Sequence, residues 1–158
     1  MIHHNWLMLQ TEPAKEIAVA EALDSLTCGD FSYCPTELRL YTISRQASLK
    51  RAVAVPILPR TVFISASFPD LDAVTAVRGC DGIVRNDFGQ PQIIPGWEMQ
   101  AFMAEVEIYR LKAIHRQMKL STKPEKSKKF RSLQEAAAYL RAKTGEEIDA
   151  ETGEIMAA

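Results

Sequence analysis

The residues best suited to chemistry are cysteines and histidines, and their spacing decides whether they could hold a metal or attack a substrate. Cys28, Cys34 and Cys80 form no CxxC pair, and His3 and His4 lie at the start of the sequence. A zinc site needs four ligands at short spacings, and a disulfide framework needs more cysteines in even number. The sequence therefore favours reduced thiols without a structural role, as in a reducing compartment.

Motifs for covalent or phosphate chemistry are absent from the sequence. It contains no GxSxG nucleophile elbow and no Cys–His arrangement typical of thiol enzymes. Its seven glycines build neither a P-loop nor a dinucleotide-binding pattern. The acidic residues are scattered over predicted solvent faces of helices. We therefore expect a binding protein and not an enzyme, with no cofactor and no metal.

Basic residues are concentrated in two segments of a chain whose net charge is only −1. Residues 42–51 contain no acid and are interpreted as a basic loop between two strands. Residues 110–131 contain nine lysines and arginines against one acid. A solvated face is the usual meaning of such a run, but clustered cations can also neutralise phosphates. The candidate nucleic-acid-binding residues are Arg45, Lys50, Arg51, Lys119, Lys123, Lys126, Lys128 and Lys129.

Size and composition predict one globular core with an appended segment. The chain has 158 residues, of which 47% are hydrophobic and 25% charged, the balance of a globular protein. Residues 1–10 lack the pattern of a signal peptide, and no apolar run is long enough to span a bilayer. We therefore expect a cytoplasmic protein that does not contact a membrane.

The chemistry-bearing residues have to be positioned by short strands and amphipathic helices. Residues 6–10 and 61–65 predict buried strands, and extended segments are expected at 31–41, 52–55, 83–84 and 92–94. A helix is expected to start at Thr11 to Pro13, and others at Asp70 and at Gly96. This order predicts the α+β class, with an antiparallel sheet of about four strands flanked by helices.

Apolar stripes at helical spacing indicate which helix faces should be buried. In the first helix the stripe is Ile17, Ala20, Leu23 and Leu26. In the long third helix it is Met99, Phe102, Met103, Val106 and Tyr109. After the basic segment, Ser132 and Glu135 match a capping box, and the stripe that follows is Leu133, Ala136, Ala137 and Leu140. Gly145 is expected to stop this last helix, leaving a frayed acidic end.

Several segments, in their order and spacing, resemble the N-terminal (NGN) domain of the NusG family. The strand WLMLQT at 6–11 leads to Glu16 on a helix, and YCPTE at 33–37 is similar to the family's second strand. VPILPRTVFI at 55–64 is similar to the signature segment, usually phenylalanine-proline-glycine-tyrosine before an apolar strand. VRGCDGIV at 77–84 and QPQIIP at 90–95 resemble its closing region. The likeness covers about residues 5–110.

The resemblance implies a ferredoxin-like domain that binds bacterial RNA polymerase at the clamp helices of the largest subunit and promotes processive elongation or antitermination. It implies an NGN-like domain at 1–110, a basic helix end and linker at 111–131, and a short C-terminal helix with an acidic tail at 132–158. Transferred by position, the polymerase-binding residues are Trp6, Tyr33, Leu58, Pro59, Arg60, Thr61 and Phe63. For Phe63 a core role is the preferred interpretation, and Asp at Trp6 or Leu58 is expected to abolish binding.

Two departures from the family pattern change what is expected. Arg60 and Thr61 stand where the signature has glycine and tyrosine, which removes an aromatic side chain and adds a charge. Residues 111–158 show no KOW-type β-barrel pattern, which indicates a specialised paralogue or a phage-type member. We expect a monomer that also reaches upstream or non-template DNA, or nascent RNA. The alternatives are an RNA-binding module on a ferredoxin-like sheet, and a regulator that inhibits polymerase or competes with the host NusG.

Overall fold

The structure, a computed structural model, describes residues 4–26, 31–42, 50–67, 70–115 and 128–152, with the backbone alone at 40–42, 50–51, 112–115 and 144–152. Within these ranges the strands are β1 (Trp6–Thr11), β2 (Ser32–Tyr33), β3 (Thr36–Thr42), β4 (Lys50–Pro56), β5 (Thr61–Ser65), β6 (Cys80–Ile83) and β7 (Ile93–Ile94). The helices are α1 (Glu16–Leu26), α2 (Leu71–Thr75), α3 (Gly96–His115) and α4 (Leu133–Thr152).

The main sheet is antiparallel and is built around β1. Its strands follow the order β2–β5–β1–β6, and the short β7 pairs with β1 beside β6. In the register of β1 with β5, Leu7 lies opposite Ile64 and Leu9 opposite Val62. Helices together with an antiparallel sheet confirm the predicted α+β class, including the C-terminal helical extension.

Side chains of β1 alternate between two separate cores, because successive residues of a strand point to opposite faces. Leu7 and Leu9 pack with α1 and α2, whereas Trp6 and Met8 pack with α3 and α4. The predicted stripe of α3 is confirmed, because its five residues join the core that contains Trp6 and Met8. Of these five, Met103 is the one that is partly exposed. The predicted stripe of α4 is buried in that same core.

Helix α1 begins at Glu16, later than predicted, because β1 runs on through Thr11. The Thr11 amide donates to the carbonyl of Arg60 (3.0 Å), and its hydroxyl donates to the Glu12 carbonyl, so Thr11 does not cap the helix. The buried face is also rotated relative to the prediction, since Val19 is fully buried whereas Leu26 is 52% exposed.

Side chains cap the starts of α2 and α4, and of these the capping box of α4 was predicted. The Asp70 carboxylate accepts from the amides of Asp72 (3.0 Å) and Ala73 (3.2 Å) at the start of α2. At the start of α4, Ser132 Oγ accepts from the Glu135 amide (3.2 Å). In return, Glu135 Oε2 accepts from the amide of Arg131, the residue before Ser132 (2.7 Å). These bonds satisfy amides that a helix leaves unpaired at its start.

Helix α4 does not stop at Gly145, contrary to the prediction, and continues to Thr152. A glycine inside a helix costs only about 1 kcal/mol relative to alanine, which the neighbouring helical residues can offset.

A separate two-stranded hairpin, β3–β4, stands beside the main sheet. Its pairs run from Thr36 opposite Pro56 to Thr42 opposite Lys50. Lys50 and Arg51 therefore lie in β4 and not in the predicted loop, because pairing with Thr42 and Tyr41 extends the strand by two residues. The bounds of the basic loop at 42–51 were therefore wrong by two residues at this end and by one at the other, where Thr42 lies in β3.

Candidate functional site

The predicted polymerase-binding residues lie close together, but most of their side chains are buried. Trp6 is 3% exposed, Leu58 1% and Phe63 0%, and all three belong to the core covered by α3 and α4. Pro59 and Thr61 are also buried. Most of these side chains therefore lie in the core and do not form an exposed contact surface.

The turn between β4 and β5 contains the clearest feature of the site, a left-handed Arg60. Its φ is 57°, a region that costs an L-residue roughly 1–2 kcal/mol and that glycine adopts freely. Arg60 stands where the signature segment has glycine, so the backbone of the turn explains that glycine. The turn is tightened further by Thr61, whose hydroxyl donates to the Pro59 carbonyl (2.9 Å).

The Arg60 side chain is engaged within the protein and is not an outward cation, contrary to what the sequence suggested. Its Nε donates to the Thr11 carbonyl (2.9 Å), and its Nη2 pairs with Asp81 Oδ2 (2.6 Å). Only 14% of the side chain is exposed. These contacts tie the turn to β1 and β6, and they offset the strain of the backbone.

Glu16 holds this turn against the start of α1. Its Oε1 accepts from the amides of Ala14 and Arg60, both at 3.1 Å. Ala14 and Arg60 are the two described non-glycine residues with positive φ. One buried carboxylate thus satisfies two strained turns. The family pattern marks Glu16, but no other signal in the sequence indicated that it would accept these bonds.

Tyr33 lies at the rim of the same core, half-buried in β2. Its ring packs against Phe63 with 6.2 Å between the ring centroids. Burial, and secondarily the nearby Glu107 carboxylate, raise the pKa of the Tyr33 phenol well above its usual value of 10.0. Of the predicted contact residues, Tyr33 and Arg60 are the ones with partly exposed side chains.

Helix α4 covers the face of the main sheet that carries Trp6 and Met8. Phe130 and the α4 residues Leu133, Ala136, Ala137 and Leu140 belong to the same buried cluster as Trp6 and Leu58. Gln10 Nε2 donates to the Phe130 carbonyl (3.5 Å), and Arg141 pairs with Glu105 of α3 (2.8 Å). A cleft of about 280 Å³ remains between Tyr139 of α4 and the segment from Pro56 to Pro59.

Burial changes what substitutions at this site can test. An aspartate at Trp6 or Leu58 would place a charge in the core, and an unpaired buried charge destabilises the fold severely. Loss of polymerase binding by such variants would therefore report unfolding. Loss of binding by these two variants stays a prediction, but it would not separate lost docking from unfolding.

The basic candidates are only partly within the described structure. Arg45, Lys119, Lys123 and Lys126 lie outside the described residues, and of Lys50 and Arg51 only the backbone in β4 is described. Lys128 and Lys129 are exposed just before α4, and Lys128 Nζ lies 5.9 Å from the centroid of the Phe130 ring. The structure does not bring these candidates together into one described patch.

The described cysteines are poorly suited to nucleophilic chemistry, which requires a thiolate. Burial, with a smaller effect of Glu16, raises the pKa of Cys34 from 9.0 to about 12. Burial also raises the pKa of Cys80. Cys28 lies outside the described residues. Within the described ranges no three His, Cys, Asp or Glu side chains cluster as metal ligands, and no helix is long and apolar enough to cross a bilayer.

Comparison with known proteins identifies the family. A protein-family model described as "Transcription termination factor nusG" matches residues 4–103, which is more than half of the 158 residues. No curated protein matched the sequence. The matched segment runs from the residues before β1 into α3, and it includes the turn at Arg60. The chain therefore belongs to the NusG family of transcription factors.

Proposed function

We propose that this protein binds bacterial RNA polymerase at the clamp helices of the largest subunit and promotes processive elongation or antitermination. The observation that carries the proposal is the family match over residues 4–103 together with the intact signature turn. Arg60 keeps the left-handed backbone that glycine would adopt there, so the turn holds its shape despite the substitution. Contacts to Thr11 and Asp81 then fix its orientation.

The docking face in this proposal lies beneath α4. The helix places an apolar stripe on the cluster that contains Trp6 and Leu58. A helix from a partner would need the same space, so the two cannot be seated together. Binding therefore requires α4 to leave, and the apparent affinity falls in proportion to the fraction of molecules in which the face is open.

Two observations support the proposal that α4 can leave the core that it covers. The cleft of about 280 Å³ leaves open space along the edge of α4 at Tyr139, on the side of the α1 start and the β3–β4 hairpin. The ion pair between Arg141 of α4 and Glu105 of α3 is solvent-exposed, since the Arg141 side chain is 67% exposed. Exposed ion pairs contribute little stability, about 0–1 kcal/mol. Most of the free energy that holds α4 on the core therefore comes from apolar contacts.

The test measures binding of the full-length protein to purified core RNA polymerase. Leu140 lies in the same core as Trp6 and Leu58, but on the helix that leaves in this proposal, so the charge of Leu140→Asp can reach water by release of α4 while the sheet stays folded. Ala142→Asp adds the same charge at an exposed position of the same helix. We expect wild type to bind, Leu140→Asp to bind at least about fivefold more tightly, and Ala142→Asp to match wild type. Circular dichroism confirms that the sheet of each variant is folded.

Failure of both wild type and folded Leu140→Asp to bind polymerase would overturn the proposed function. Equal affinity of the two proteins would place the contact away from the face under α4. A single-round transcription assay then gives the direction of the effect, with shorter pauses expected at saturating protein. Longer pauses, or displacement of host NusG without antipausing, would favour the inhibitor or competitor.

For the RNA-binding alternative, the described strands of the main sheet offer one partly exposed aromatic side chain, that of Tyr33 in β2. Base stacking on a sheet needs exposed aromatic side chains. Trp6 and Phe63 are instead buried under helices. We propose that nucleic acid is contacted through the basic residues, with Lys128 and Lys129 the ones whose exposure is described. Neutralising both should lower DNA affinity and flatten its dependence on salt.

A further inference from the structure

A hairpin arm at residues 84–92 projects from the edge of the main sheet. The Val84 amide donates to the Met8 carbonyl (2.9 Å), which is the arm's attachment to β1. Beyond it, Arg85 forms a bridge with Pro91. At the tip lies Phe88, 88% exposed, the most exposed large apolar side chain among the described residues.

The tip that carries Phe88 is held rigidly by Asn86. The Asn86 side-chain oxygen accepts from the amides of Phe88 and Gln90, each at 3.0 Å, and the Asn86 amide donates to the Gln90 carbonyl (2.8 Å). Gly89 closes the turn with φ 78°, and its carbonyl accepts from Arg85 Nη1 (2.9 Å). An aromatic side chain on a fixed turn loses little entropy when it binds.

The charges of the arm indicate the kind of partner that Phe88 fits. Within residues 84–92 the charged groups are Arg85, already bonded to the Gly89 carbonyl, and Asp87, next to Phe88. A carboxylate beside the aromatic ring disfavours insertion into nucleic acid or an anionic membrane surface. A protein pocket with an apolar floor fits this tip, since rigid aromatic anchors carry much of the binding energy at protein interfaces.

Phe88 is exposed while α4 is seated, whereas the face under α4 is not. We propose that Phe88 anchors the protein in an apolar pocket of RNA polymerase and makes the first contact, before α4 leaves its seat. This inference rests on the proposed function, because it takes the partner to be polymerase. It adds a second contact surface, distinct from the covered face.

The test compares the affinities of full-length variants for purified core RNA polymerase. Phe88→Ala should weaken binding about 30-fold or more, and Phe88→Leu should restore most of it. Leu26→Ala, which truncates another exposed apolar side chain (52% exposed), should stay within about twofold of wild type. Because Phe88 is exposed, the melting temperature of Phe88→Ala should match that of wild type.

A second comparison tests the order of contacts. If Phe88 engages first, Phe88→Ala should slow association in the wild-type background and slow it less in Leu140→Asp, where the face is already open. Equal affinity of Phe88→Ala and wild type, with wild type bound, would overturn the anchor and leave the proposed function standing. No binding by wild type or by Leu140→Asp would overturn both. Loss of free-DNA binding by Phe88→Ala with polymerase affinity unchanged would assign the tip to nucleic acid instead.

Discussion

At the scale of single residues, Arg60 shows how a substitution in a signature turn can be accommodated. The backbone takes the left-handed conformation at 57°, and the side chain bonds to the Thr11 carbonyl and to Asp81. Glu16 accepts the Arg60 amide from the other side. The turn therefore combines a strained residue with three compensating contacts.

Replacing Arg60 separates the strain from these contacts. Arg60→Ala loses the side-chain bonds and keeps the strain, whereas Arg60→Gly loses the same bonds and removes it. We expect Arg60→Gly to be more stable than Arg60→Ala by about 1 kcal/mol, with both below wild type. Urea unfolding measures the difference. An alanine variant as stable as the glycine variant would contradict a left-handed backbone at this position.

Local chemistry was predictable from the sequence where neighbouring residues decide it. Ser132 caps α4 as its side chain and position indicated, because capping depends on an amide three residues away. The inward bonds of Arg60 were not predictable, since Asp81 lies 21 residues further along the chain. Contacts of that kind depend on the register of β1 with β6.

At the scale of elements, α4 depends on two alanines for its close approach. Ala136 is 0% exposed and Ala137 is 7% exposed, both within the core that contains Trp6. Small side chains let the helix backbone approach its neighbours. The stripe of Leu133, Ala136, Ala137 and Leu140 was visible in the sequence, but the face that it covers was not.

A larger side chain in place of Ala136 should weaken the packing of α4 on the core. Ala136→Leu adds three carbons to a packed core and should cost about 1–3 kcal/mol. Ala138→Leu, two residues along on the exposed side of the helix, should change stability by less than about 0.5 kcal/mol. Thermal unfolding of the two variants checks this pair. Equal losses in both would show that helix propensity, and not packing, sets the effect.

Element boundaries were predicted less well than element types, for identifiable physical reasons. Helix α1 starts late because the strand ladder extends through Thr11, which pairs with Cys80. Strand β4 starts early because its partner β3 extends to Thr42. In both cases a partner distant in sequence decides where the element ends, and local preference does not.

At the scale of the whole molecule, the sheet separates two cores that differ in their covering helices. The core against α1 and α2 belongs to the segment that matches the family, whereas α4 completes the other core from outside residues 4–103. Sequence reasoning predicted the fold class, and the docking residues stay a prediction. It could not predict that the site is covered, because covering depends on the position of a helix more than 70 residues after Leu58.

Alkaline pH should destabilise the protein through its buried weak acids. Burial raises the pKa of Cys34 from 9.0 to about 12, so the folded state keeps a proton that the unfolded state loses. Stability is therefore fully present below pH 9 and is lost as the pH rises toward 12, with Tyr33 adding to the loss above pH 10. Urea midpoints at pH 8, 9.5 and 10.5 measure the decline. Cys34→Ala should show a shallower decline, and an unchanged slope would contradict the assignment.

Because α4 lies at the end of the described chain, the ribosome synthesises it after the rest of the described elements. A ribosome at roughly 5–20 residues per second takes about 2–7 s to pass from the end of α3 at His115 to the end of α4 at Thr152. In that interval the residues of the family match have been synthesised, but the segment that covers Trp6 and Leu58 has not. A newly made molecule therefore passes once through a stage in which the face under α4 has no cover.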